Sequence, residues 1–343
     1  MKHCGIDCRL SLGHSGIGRY VKELVPHLLR SSDHHFTLFV RNKNEEWLSV
    51  LSENVNIVEA DIPHYSLAEQ IRLPSIIKKS GIDLLFSPHF NVPLRCPIPF
   101  VVTIHDLILH RYPNQASFLK QKAYRFLMKR SVTRAQKIIA VSAFTAGELN
   151  DVYGVSVGSK VTVVHEGISP HFTPRSDDEQ RAVRQKFDLQ RDFFLYVGNA
   201  KEHKNVKLLL DAFAQANIAD ADLVLVSSGK EAERLKMESN TKRLEGVKDD
   251  DLPALYSAAR AFVTASLYEG YGLPVLEAAA CGCPVIATNG SAITEVAPEG
   301  SLLLEPTVDA FSEGFQNPPQ AGASDARSWE EVARETLAAL ENM

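Results

Sequence analysis

No run of about 18 uncharged apolar residues occurs in this 343-residue chain, so no membrane-spanning helix is expected. The opening MKHCGIDCRL reads as a strand and lacks the charged-then-apolar build of a signal peptide, which points to a cytoplasmic protein. Cysteine is scarce and odd in number: Cys4, Cys8, Cys96, Cys281 and Cys283 have neither the even count of a disulfide framework nor the paired spacing of a zinc site, and read as buried thiols. Internal repeats, low-complexity tracts and heptad seams are absent, which excludes solenoids and coiled coils. A strongly basic balance is missing too, since the net charge is −5, and no nucleic-acid partner is expected.

What is present is apolar content and alternation. With 45% hydrophobic residues the chain can build two cores, and its length fits two domains at the usual ~100–200 residues each. Short apolar runs alternate with helical stretches throughout: KHCGIDC, FTLFVR, VNIVEA, DLLFSP, PFVVTIH, KIIAVS and VTVVHEG, then FFLYVGN, ADLVLVSS, AFVTAS and PVIATNG. That is the pattern of α/β domains with parallel sheets covered by helices. The polar, proline-bearing ISPHFTPRSDDEQ (168–180) reads as a linker. The expected division is 1–168, 169–327, and a final helix over 328–343, opened by a Ser328-to-Glu331 capping box, that can cross back to the first domain.

Two glutamates carry the strongest chemical signal. Glu269 and Glu277 flank a strand-to-helix turn in SLYEGYGLPVLEAAACGCPV, where Gly270 and Gly272 punctuate the turn and Pro274 suits a first helical turn, so a helix should begin near Leu273. Backbone N–H groups there suit a phosphate, and the two carboxylates suit sugar hydroxyls on either side. A second glycine-to-helix turn, LGHSGIGRYVKELVPHLL, offers Gly16 and Gly18 to a phosphate, without the spacing of a dinucleotide fingerprint. One such site per domain suits a nucleoside diphosphate held from both sides of a cleft.

The chain resembles the family 4 glycosyltransferases of the GT-B fold, two Rossmann-like domains facing a central cleft. The resemblance is carried by SGIGRY, YSLAEQIRLP, TIHDL, IIAVSAFTAGEL, VVHEGI, YVGNAKEHKNVKLLLDAF and LPALYSAARAFVTASLYEGYGLPVLEAAACGCPVI. It implies a retaining, metal-independent hexosyltransferase with no cofactor, using a nucleotide-sugar donor; mannose from GDP-mannose is the first choice, on a likeness to mannosyltransferases of surface polysaccharide. The acceptor is a glycan or a lipid-diphosphate-linked saccharide. By the same resemblance Glu269 holds donor-hexose hydroxyls beside the backbone of Gly270, Tyr271, Gly272 and Leu273. Glu277 clamps the ribose, Lys204 neutralises the leaving diphosphate, His105 lies near the reacting carbon, and Val247 meets the base. Arg19, Tyr20 and the segment from Tyr65 to Arg72 face the acceptor. The family commonly has Arg after the glycine of the preceding strand; here Asn199 follows Gly198, leaving Asn199, Lys201 or His203 to fill that place. UDP-sugar donors stay open, as do an epimerase of the same fold, a nicotinamide oxidoreductase and an inactive glycan-binding scaffold.

Charge is unevenly spread: residues 1–170 hold 20 Lys and Arg against 14 Asp and Glu, the remainder 17 against 28. The segment 118–137 has seven basic residues and no acid. On a helical wheel Tyr124, Met128, Val132 and Ala135 share one arc, opposite Lys122, Arg125, Lys129, Arg130, Arg134 and Lys137. Such a face suits peripheral contact with an anionic membrane. Asp249, Asp250 and Asp251 precede an apolar helix and read as N-capping acids, not as metal ligands.

Overall fold

The computed structural model describes residues 3–12, 16–32, 34–51, 55–322 and 327–341. In chain order the main elements are β1 His3–Asp7, α1 Gly16–Arg30, β2 His35–Val40, β3 Asn56–Glu59, α2 Leu67–Lys79, β4 Leu84–Ser87, β5 Phe100–Ile104, α3 Phe118–Arg134, β6 Lys137–Ala140, α4 Ala143–Tyr153 and β7 Val161–Val163. There follow α5 Asp177–Lys186, β8 Asp192–Val197, α6 Val206–Ala216, β9 Ala221–Val226, β10 Thr241–Leu244, α7 Leu252–Ala258, β11 Ala261–Thr264, α8 Leu273–Ala280, β12 Val285–Thr288, β13 Leu302–Leu304, α9 Val308–Gln316 and α10 Trp329–Glu341. Two compact units result, one of residues 1–167 and 327–343, the other of residues 168–326.

Each unit is built on one parallel sheet, ordered β3-β2-β1-β4-β5-β6-β7 in the first and β10-β9-β8-β11-β12-β13 in the second. Central strands such as β5 (FVVTI) and β11 (AFVT) are buried along their whole length, as strands covered on both faces must be. Because β1 lies between β2 and β4, the chain runs outward in both directions from it, which sets a topological switch point between β1 and β4. The second unit has its switch between β8 and β11. Parallel sheets bind ligands outside the carboxyl ends of the strands at such points.

Three readings of the sequence change. The segment 168–180 is not a free linker: Ile168 and Phe172 are buried in the second unit's core, and Ser176 caps α5 in a capping box with Glu179. The charged TKRL and the unalternating LLL, which gave no strand signal, form the edge strands β10 and β13. Lys137 is not on the basic helix; α3 stops at Arg134, and Lys137 starts β6. All five cysteines are free and buried, and burial pushes the thiols of Cys4, Cys281 and Cys283 up to about 12.

The final helix belongs to the first unit. Ser328 and Glu331 exchange capping bonds, with the Ser328 N–H donating to Glu331 Oε2 at 2.9 Å, and α10 packs on α1. Trp329, 3% exposed, meets Tyr20 edge-on at 5.6 Å. A Cβ on Gly167 would stand 2.9 Å from the Trp329 backbone nitrogen, so only glycine lets the chain pass there. Trp47 and Trp329, the only tryptophans, both lie in this unit, so tryptophan fluorescence reports on it alone. Trp329→Ala should destabilise the unit by about 3–5 kcal/mol, read from the Trp47 emission in a urea titration.

Candidate active site

The strand-to-helix turn of the second unit follows from its sequence. Gly272 caps α8 at φ +107°, a left-handed conformation that a side chain would strain, and Pro274 sits in the first turn, where its fixed φ suits the helix. The turn has fewer phosphate donors than expected, because Pro274 has no N–H and the Val275 N–H donates to the Gly272 carbonyl at 3.0 Å. Glu269 is fixed before the turn by its N–H, which donates to Ser291 Oγ at 3.2 Å.

The turn brings Glu269 to Lys204. The Lys204 ammonium donates to Glu269 Oε1 at 2.5 Å, and the two side chains are only 16% and 18% exposed. Lys204 closes a one-turn 3-10 helix, Glu202–Lys204, between β8 and α6, so the pair spans the β8/β11 switch point. The pair, Tyr196, Thr264, Gly272 and Pro274 line a small pocket. Glu277, one turn inside α8, is 3% exposed and accepts a hydrogen bond from the Tyr256 hydroxyl at 3.3 Å. Val247, in the loop after β10, rests partly on the core. Asp251 accepts a hydrogen bond from the Lys248 N–H and pairs with Lys186 at 2.6 Å; among the described residues no group of three or more His, Cys, Asp or Glu could hold a metal ion.

The position after Gly198 is also clear. The Asn199 side chain is exposed, and its Oδ1 takes the Lys201 N–H at 3.2 Å, bracing the loop that leads to Lys204. His203 does not supply the family's missing cation: burial, and then the charge of Lys204, push it down to about 4, so it is neutral at physiological pH. Lys201 is exposed.

In the first unit His105 follows β5 and is locked at both nitrogens, with Nδ1 2.9 Å from Glu166 Oε1 and Nε2 3.0 Å from the Pro88 carbonyl. A carboxylate and a carbonyl only accept, so both nitrogens carry protons and the ring is an imidazolium. Burial pushes its pKa down, but the hydrogen bond and charge of Glu166, with the Pro88 carbonyl, outweigh that and hold it above its ordinary value. Glu166 lies within the VVHEGI run, and an acid beside a strand end in an apolar run is the sequence signal that marks it.

The glycine turn is described only in part, since residues 13–15 lie outside the described residues; α1 starts at Gly16, which is exposed, while Gly18 is buried. Arg19 is half-buried. Tyr20 does not face an acceptor: it shares the inward face of α1 with Leu24 and Leu28, is 1% exposed, and supports His105 edge-on at 4.8 Å.

Two family models divide the chain between them: "Glycosyltransferase Family 4" matches residues 14–172 and "Glycosyl transferases group 1" residues 177–331. The chain belongs to the family 4 glycosyltransferases. It is 29% identical to O-antigen chain mannosyltransferase B of Escherichia coli over 93% of this chain and 89% of that one. It is 27% identical to O-antigen chain mannosyltransferase RfbU of Salmonella typhimurium over 71% and 66% of the two chains. The solved structure of Anabaena HepE in complex with UDP-glucose superposes with a TM-score of 0.72 over 100% of both chains at 16% identity, a likeness of fold. The two units with parallel sheets are thus those of a GT-B glycosyltransferase. Among the described residues no helix is long and apolar enough to cross a membrane.

The lock on His105 gives a pH signature. Because its folded pKa lies above the unfolded one, the contribution to stability is complete below about pH 6.5 and is lost as the pH rises through the folded pKa. Glu166→Gln should lower the His105 pKa, because the hydrogen bond and charge that raise it are lost, measured by NMR titration of the ring.

Proposed function

We propose that this glycosyltransferase is a retaining, metal-independent hexosyltransferase that moves mannose from GDP-mannose to a glycan or lipid-linked saccharide. The observation that carries the reading is the desolvated Lys204–Glu269 pair at the β8/β11 switch point. A cation there can hold the diphosphate as negative charge builds on the leaving oxygen, and Glu269, once Lys204 turns to phosphate, can accept from sugar hydroxyls. Glu277 takes the ribose hydroxyls, and Asn199 adds neutral donors near the phosphates. His105, protonated and held at both nitrogens, serves as a fixed positive charge near the transferring sugar and not as a base. The departing phosphate oxygen then takes the acceptor's proton on the face it leaves, so configuration is retained without a protein nucleophile. Mannose rests on the two mannosyltransferase relatives.

Thermal scanning against GDP- and UDP-sugars tests the donor. At 100 times its dissociation constant the right donor should add about 2.7 kcal/mol of stability, and stabilisation by UDP-sugars alone would overturn GDP-mannose. Lys204→Ala should slow turnover by about 10²–10³. Glu277→Ala should instead weaken nucleotide binding by about 1.5–3 kcal/mol. Normal turnover and binding in both variants would remove these roles.

A peripheral membrane role is favoured by α3. Its basic residues Lys120, Lys122, Arg125, Lys129 and Arg130 are all exposed, and among them Phe118, Leu119 and Phe126 are 65%, 78% and 58% exposed. Exposed aromatic and aliphatic groups within a cationic face suit the headgroup layer of an anionic bilayer on the cytoplasmic side. Reversal of Arg125, Lys129 and Arg130 to Glu should abolish co-sedimentation with anionic vesicles; unchanged binding would discard this role.

A further inference from the structure

A second constellation stands at the β1/β4 switch point of the first unit, apart from the Lys204–Glu269 pair. Its root is a buried ion network. Arg9, fully buried, donates to Asp7 Oδ2 at 2.7 Å and to Glu69 Oε1 at 2.8 Å, and Glu69, itself without exposure, also accepts from the Asn91 amide at 2.9 and 3.0 Å. The other carboxylate oxygen of Glu69 accepts the Tyr65 N–H at 2.8 Å. That bond holds Tyr65 at φ +59°, a left-handed conformation that a bulky side chain rarely takes, and presents its ring 58% exposed. Strain of this kind persists where surrounding bonds over-determine the backbone, and it gathers at ligand sites.

Beside that ring stands His89, on the segment that leaves β4. Its carbonyl accepts the Ser87 hydroxyl at 2.7 Å, and its Nδ1 accepts the Asn91 N–H at 3.2 Å. A backbone N–H can only donate, so the His89 proton sits on Nε2, which makes no hydrogen bond among the described residues. Burial, helped by the neighbouring His105 and His64, pushes His89 down to about 3 and keeps it neutral. The Tyr65 and His89 rings meet edge-on at 6.3 Å, and Phe90 backs Tyr65 at 6.2 Å. Leu67 and Ile71, on the first turns of α2, are 84% and 72% exposed.

We infer that Tyr65 and His89 form a saccharide subsite, in which the tyrosine ring stacks on the apolar face of a pyranose and the His89 Nε2–H donates to one of its hydroxyls. As the acceptor subsite of the proposed transfer reaction it rests on that reading, but the constellation itself is independent of the donor site. An aromatic plane with one neutral, tautomerically fixed donor fits an uncharged sugar and offers nothing to a phosphate. The Arg9–Glu69–Asn91 network positions both rings without touching the ligand.

Saturation-transfer NMR on the full chain, with methyl and octyl α-glycosides of mannose, glucose, galactose and N-acetylglucosamine, tests the subsite. Wild type should bind at least one sugar; Tyr65→Ala should weaken that binding about tenfold, and Tyr65→Phe less than twofold. His89→Phe, which keeps a ring and removes the donor, should weaken it comparably; if this buried variant does not fold, Tyr65→Ala, at an exposed position, decides. Preference for the octyl over the methyl glycoside would identify a lipid-linked saccharide, seated along Leu67 and Ile71, and equal binding a free one; both support the subsite. Binding of no sugar by wild type, or equal binding by wild type and Tyr65→Ala, overturns it. Thermal scanning of the same proteins with GDP- and UDP-sugars should show donor binding unchanged; glycoside binding without any nucleotide-sugar response would overturn transfer and leave the subsite standing.

Discussion

Parallel pairing of every strand is the constraint on which the molecule depends. In such a sheet all carboxyl ends lie on one edge, and each return helix covers a face, so whatever follows a strand is delivered to the same rim. In the first unit His105, Tyr65 and His89, and in the second Lys204 and Glu269, come from separate parts of the chain, yet within each unit they belong to loops or helix starts beyond strand ends. The apolar runs of the strands, buried on both faces, stabilise the sheets that hold these loops.

The polar groups at these rims differ in how their charge is managed. Lys204 and Glu269 neutralise each other while largely withdrawn from water, so neither stands as a bare buried charge. His105 is kept charged by Glu166, whereas His89 is kept neutral by burial. Two histidines on one rim are thereby shifted in opposite directions from the ordinary imidazole value.

Much of this is legible in the sequence, and the reason is periodicity and punctuation. Short apolar runs between helical stretches give the sheets, and Gly272 with Pro274 fixes the start of α8 to the residue. What escapes is decided by tertiary contact. Tyr20 looks available after a glycine turn, but the inward face of α1 claims it. Ile168 and Phe172 sit in a polar, proline-bearing stretch and are nonetheless drawn into a core. The strands β10 and β13 lie at sheet edges, where few neighbours demand a pattern. Arg9, Glu69 and Glu166 read as ordinary surface charges until the fold buries them beside partners 60 or more residues away.

The position of α10 bears on how the molecule comes to be made. The second unit is spliced into the first, which is completed only by a helix that follows it in sequence. On a ribosome the first sheet emerges early but must wait, with the α1 groove that Trp329 later fills still open, while the whole second unit is synthesised and folds as a self-contained body. The first unit is thus completed only after the second has been translated.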